Sequence, residues 1–135
     1  MVVPVRKKFT NSEMYEMFSA LAELSETSTG IFGYAVARNM RRLEGYAVDF
    51  ARLRDDLIRK YGDEDNGTGT YSIPADSPVL SAFVKELEPI AKMENDVEIV
   101  KILPSDVPET FTGAQMYKIM WMIAEEAIPE PVKEN

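Results

Sequence analysis

The longest regular alternation of apolar and polar positions lies between residues 31 and 61. Val36, Met40, Leu43, Ala47, Phe50, Leu57 and Tyr61 recur at intervals of four and three, with Arg54 standing in the place between Phe50 and Leu57. That period of 3.5 is the coiled-coil value, and Leu53 and Ile58 widen the stripe toward a globular helix face. The spacing predicts one helix from Ile31 to Tyr61, roughly 45 Å long at 1.5 Å per residue, with Gly62 as its terminator. Gly45 weakens it by roughly 1 kcal/mol relative to alanine unless a neighbour packs closely there.

Two shorter patterns flank this helix and begin almost identically. "FTNSEMYEMFSALAE" (9–23) and "FTGAQMYKIMWMIAE" (111–125) share six of fifteen positions. Thr10 and Thr112 are N-cap residues with Glu13 and Gln115 three places later, the spacing of a capping box. Phe9 with Met14, and Phe111 with Met116, occupy the two positions of a hydrophobic staple. The first helix is expected over Asn11–Leu24, with Met14, Met17, Phe18, Leu21 and Leu24 on one face. The last is expected from Thr112 to about Ile128, apolar around most of its girth and therefore central to the core or covered by another chain. Shared capping grammar is one reading of the repeat, and an ancient duplication or a pseudo-symmetric pair of packed helices is the other. Tyr15/Tyr117 and Ala22/Ala124, which capping does not require, leave duplication open.

Between these helices "GDEDNGTGT" (62–70) reads as a solvated hairpin tip, followed by a short strand over Thr70–Ile73. It is no calcium loop, because Gly67 and Pro74 stand where ligands would be needed. Ser77-Pro78 predicts a third helix start, with Val79, Leu80, Phe83, Val84 and Leu87 as a buried face and Pro89 kinking or ending it. Val97–Leu103 is the best strand; its apolar order changes phase at Ile99-Val100, so it is buried on both faces or bulged. The sum is a mainly α, α+β fold of about four helices, one of them long and coiled-coil-like. A minor sheet draws on segments near Val3, Tyr71 and Val97. One domain is expected over residues 1–128, with a short mobile acidic tail over 129–135.

Composition narrows the chemistry. The 135 residues include no cysteine and no histidine, which removes thiolate metal sites, disulfides and the commonest general base. The first eight residues are too short and too basic for a signal peptide, and no apolar run reaches the roughly 20 residues of a membrane span. A cytoplasmic protein with no membrane partner is expected. Carboxylates are plentiful, yet none sits in a motif that fixes a nucleophile or a metal, and "GTGT" lacks the lysine and helix of a phosphate loop. No catalytic, cofactor-binding or metal-binding residue is assigned, and the chain reads as a non-enzyme.

Charge singles out the long helix. Residues 31–61 carry seven Lys or Arg against four Asp or Glu, a balance of +3 that leaves −11 on the remainder of a chain of net charge −8. Arg38, Arg41, Arg42, Arg52 and Arg59 fall near one another on a helical wheel. They form a strip able to meet an acidic protein partner or nucleic-acid phosphate. Asp49, Asp55 and Asp56 lie three or four residues before Arg52 or Arg59 and neutralise part of it. A solvated helix face is the stronger reading, and nucleic acid is disfavoured by the acidic remainder. Eight methionines and Trp121 are core filling first and an adaptable groove second.

The order of features resembles a family of small uncharacterised proteins encoded by tailed phages and prophages of Gram-positive bacteria. The likeness rests on the "FT-N-x-E" start (Phe9 to Glu13), "LIRKYGDED" (57–65), "FVKELEPI" (83–90), "DVEIVKI" (96–102) and the closing "FT-x-x-Q" helix (Phe111 to Gln115). The family carries no agreed activity. The resemblance implies a bacterial host's cytoplasm and, with the seam and the apolar last helix, a protein–protein interaction role. A phage or host partner is expected, with homo-oligomerisation through helix packing as a further option.

Overall fold

The computed structural model describes residues 2–124. In chain order these form β1 (Val2–Thr10), α1 (Asn11–Leu24), α2 (Gly30–Tyr61), β2 (Asp63–Glu64), β3 (Tyr71–Ser72), α3 (Leu80–Ala91), β4 (Glu94–Ile102) and α4 (Gly113–Ile119). Single 3-10 turns lie at Pro104–Asp106 and Met120–Met122. The fold is mainly helical α+β, dominated by one 32-residue helix.

α1 starts and stops where its sequence directs. The Thr10 amide donates to Glu13 Oε1 at 2.8 Å and the Glu13 amide to Thr10 Oγ1 at 3.1 Å, so both halves of the capping box form. α2 runs one residue earlier than its pattern predicts and ends at Gly62, whose amide donates to Ile58 O at 2.7 Å. A Cβ at Gly62 would lie 2.5 Å from Ser72 O and 2.6 Å from Ile58 O. Glycine is needed there for close approach of the β2–β3 hairpin. Its tip turns through Asn66 and Gly67, both with positive φ, and its acids bind the loop itself: Glu64 Oε2 accepts from the Gly69 amide at 2.8 Å.

β1 and β4 pair antiparallel in unbroken register from Val2↔Ile102 to Thr10↔Glu94. No bulge interrupts β4; Val97 and Ile99 are buried on one face, Val100 and Ile102 on the other. Its phase change therefore marks a strand covered on both sides. Met14, Met17 and Leu21 of α1, and Phe32, Val36 and Leu43 of α2, complete the core with this sheet. At Pro4↔Val100 the Val100 backbone is turned away from β1, and Asn39 of α2 meets it. Asn39 Nδ2 donates to Val100 O at 2.9 Å and Oδ1 accepts from the Val100 amide at 2.7 Å. Asn39 is completely buried, and its side chain serves the free edge of β4 as a neighbouring strand would.

The structure corrects three expectations. Tyr71 does not join the sheet of Val3 and Val97; it pairs with Glu64 in a separate two-residue ladder held against the end of α2. The third helix begins at Leu80, not at Pro78 with Ser77 as its cap, because Ser77 closes a turn: its carbonyl accepts from the Leu80 amide and its hydroxyl from the Val79 amide. None of α3 is fully buried, and Val79 and Val84 are exposed. The last helix stops at Ile119 instead of running on toward Ile128. There the open edge of β4 competes for the chain: Ile123 forms a parallel bridge with Ile102, and the Ala124 amide donates to Ile102 O at 2.7 Å. The end of that predicted helix, and the tail over 129–135, lie outside the described residues.

Candidate functional site

Two surfaces stand out, and the arginine strip is one. Arg38, Arg41, Arg42, Arg52 and Arg59 share the side of α2 turned from its buried residues, within an arc of about 100°. Tyr34 lies at the head of the strip, and its hydroxyl accepts from Arg38 Nη1 at 2.8 Å. Arg42 pairs with Glu98 of β4 at 3.4 Å and Arg59 with Asp56 at 3.7 Å. Arg41 and Arg52 are exposed and form no ion pair among the described residues. Tyr34, Arg38, Arg41 and Arg42 outline an open cleft of about 610 Å³. The structure thus brings four of these groups together at the start of α2. Arg52 and Arg59 stand further along, interleaved with Asp49, Asp55 and Asp56.

Arg54, which interrupts the apolar seam, stays on the core side of α2 and packs against α1. Its guanidinium lies 4.5 Å from the Tyr15 ring centroid and donates to the Tyr15 hydroxyl at 3.0 Å. Packed this way, an arginine fills a seam position with its stem and rests its charge on an aromatic face.

The second surface is a groove of about 740 Å³ between α1 and the segment from α4 through its 3-10 turn. Phe9, Tyr15 and Met17 supply apolar lining from one side, Tyr117 and Trp121 from the other. Glu13, Glu16 and Glu23 line the α1 wall, and Lys118 answers from α4 with a contact of 3.7 Å to Glu23. Tyr117 is 78% exposed and the adjacent Met120 62%. The groove's far wall exists because Thr112 caps α4: its amide donates to Gln115 Oε1 at 2.9 Å and its hydroxyl accepts from the Gln115 amide at 3.2 Å.

The two similar phrases therefore form the two walls of one groove, although they diverge beyond their caps. Phe9 and Met14 are buried, whereas Phe111 and Met116 are only partly so. Tyr15 is covered by Arg54 while Tyr117 faces solvent; Ala22 is helical while Ala124 lies beyond α4, its amide bonded to Ile102 O of β4. Both capping boxes form, which accounts for the shared threonines and the Glu/Gln pair but not for the shared tyrosines and alanines.

Sequence reasoning did not reach the groove, because Glu16 and Tyr117 are a hundred residues apart and nothing local links them. Asn39 was legible in principle: it is a polar residue centred on the apolar arc of α2. Among the described residues no group of three or more Asp or Glu side chains is placed to hold a metal ion, and no helix is long and apolar enough to cross a membrane. No protein-family model matches the chain, and neither a curated protein nor a solved structure does.

Proposed function

We propose that the protein is a non-enzymatic, phage- or prophage-encoded interaction module of the bacterial cytoplasm. Its α1–α4 groove takes a basic amphipathic helix, so that the protein acts as an assembly accessory or as a modulator of a host protein. One observation carries this reading. The groove combines solvent-exposed aromatic surface with three carboxylates against a single lysine. Apolar anchors beside one sign of charge fit helix-in-groove recognition, in which one helix face enters the groove and its flanking charges fix the register. The phage setting rests on the resemblance of the sequence motifs alone.

Trp121 is the single tryptophan, so its fluorescence reports on the groove directly. Titration with a synthetic Leu/Lys helix of about three heptads is expected to give a saturating spectral shift. Glu16→Lys with Glu23→Lys is expected to weaken binding about tenfold. A Leu/Glu helix of equal length is expected to give no shift, and equal saturation by both peptides would refute the charge-selective groove.

A second reading, nucleic-acid binding, is favoured by the cleft of Tyr34 and three guanidinium groups and opposed by the acidity of the remaining chain. It requires salt-sensitive retention on single-stranded DNA that disappears in Arg38→Glu with Arg52→Glu.

A further inference from the structure

The outward face of α2 has the chemistry that the groove calls for. Tyr34, Arg38, Arg41, Gly45, Val48 and Arg52 follow one another at intervals of four, three, four, three and four. They form a second seam of coiled-coil period on the side of the helix opposite its core face. This one is left open: Tyr34 is 52% exposed and Val48 42%. We infer that the groove is filled by this seam of a second copy of the chain, so that copies join head to tail. The inference rests on the groove reading above and names its occupant.

Three features support it. The charges are opposite, with Glu13, Glu16 and Glu23 on the groove wall and Arg38, Arg41 and Arg52 on the seam. Arg41 and Arg52 have no ion-pair partner among the described residues that docking would have to break. Gly45 is the third feature. Among the described residues nothing lies within 4 Å of where its Cβ would be, so no packing among them explains a glycine at mid-helix, where it costs about 1 kcal/mol. At the centre of a docked seam it allows a close approach of the neighbouring backbone. The lengths also agree: roughly 20 Å of α1 wall against roughly 27 Å of seam at 1.5 Å per residue.

Head-to-tail contact follows because the two surfaces share no residue and differ in sign. A two-fold contact between α2 seams is disfavoured: antiparallel pairing centred on Gly45 places Arg38 opposite Arg52. Unlike surfaces that join in this manner generate rings or open filaments rather than closed two-fold dimers.

Sedimentation velocity of the full chain tests the idea. The average mass is expected to rise with concentration at low ionic strength and to return to that of the monomer near 1 M salt, where the Debye length is about 3 Å. Glu16→Lys with Glu23→Lys, and separately Arg38→Glu with Arg41→Glu, are each expected to leave monomers. All four changes in one chain restore the complementary charges, and association is expected to return. A wild-type chain monomeric throughout, or one whose association ignores either pair of changes, would overturn the inference. So would a monomer whose arginine seam instead retains single-stranded DNA. If the wild type is monomeric while Trp121 still responds to the Leu/Lys helix, self-docking fails and the groove reading survives; if Trp121 is also silent, both fail.

Discussion

Asn39 has the most demanding position of any residue in the core. It sits among Val36, Met40 and Leu43, is fully buried, and gives both its hydrogen-bonding ends to one residue of β4. The Val100 amide and carbonyl are left without these partners if the side chain is shortened, and each orphaned buried group costs about 1–3 kcal/mol. Asn39→Ala is therefore expected to destabilise the protein by about 2–6 kcal/mol, read as a lower urea midpoint with little change in slope. Asn39→Leu, although it completes the apolar stripe, is expected to be no better. A loss below about 0.5 kcal/mol would mean that water reaches Val100. The sequence shows a polar residue on a greasy arc; it does not show which backbone the amide meets, because Val100 is 61 positions away.

Among the four α-helices, α3 is the one with no fully buried residue among those described, and it joins α2 through one aromatic and several polar contacts. Phe83 meets Tyr61 edge-on, with ring centroids 6.5 Å apart. Glu86 accepts from Lys60 Nζ at 2.9 Å and from the Tyr61 hydroxyl at 2.8 Å. The Lys60 bond, then the Tyr61 bond, holds the Glu86 carboxyl below its usual range of 4.5. The Glu86 bond raises Lys60 above 10.5. A depressed carboxyl stabilises the fold above its unfolded pKa, and that contribution fades as pH falls through the folded value. The raised lysine acts in full below 10.5 and fades as pH climbs past its folded value. The clasp between α2 and α3 is thus complete between about pH 5 and 10. Amide exchange in α3, corrected for intrinsic rates, is expected to quicken selectively below pH 4.5; Glu86→Gln is expected to quicken it at neutral pH and to flatten the acid dependence. Uniform acid loosening of all helices would argue against a local clasp.

At the scale of the whole molecule, legibility follows the distance over which each instruction acts. α1 and α2 were readable almost to the residue, because a capping box and a terminating glycine act within one turn. The last helix was over-extended, since its end is decided by Ile102, which local pattern does not place beside Ile123. Local pattern overstates the burial of the α3 face, because amphipathic spacing states which side is apolar, not how completely a neighbour covers it. The basic strip of α2 is legible from its own helical spacing, whereas the acidic groove is not, because only the fold sets the three glutamates of α1 opposite Tyr117 and Trp121.

The pairing of β1 with β4 has a consequence for biosynthesis. β1 leaves the ribosome well before its partner, a strand that ends at Ile102, so it must wait unpaired while some ninety further residues are made. At about 5–20 residues per second that interval lasts on the order of 5–20 s. Until it ends, α1 and α2 have each other and α3, and the apolar sides they turn to the sheet stay wet. A chain cut after Met93 is expected to keep helical circular dichroism yet to bind the dye ANS and to lose near-ultraviolet signal. Rigid tertiary packing in that fragment would mean that the helical pair matures without its sheet. Arg6, Lys7 and Lys8, with Pro4, are suited to the delay, because cations and proline discourage an unpaired strand from joining another chain.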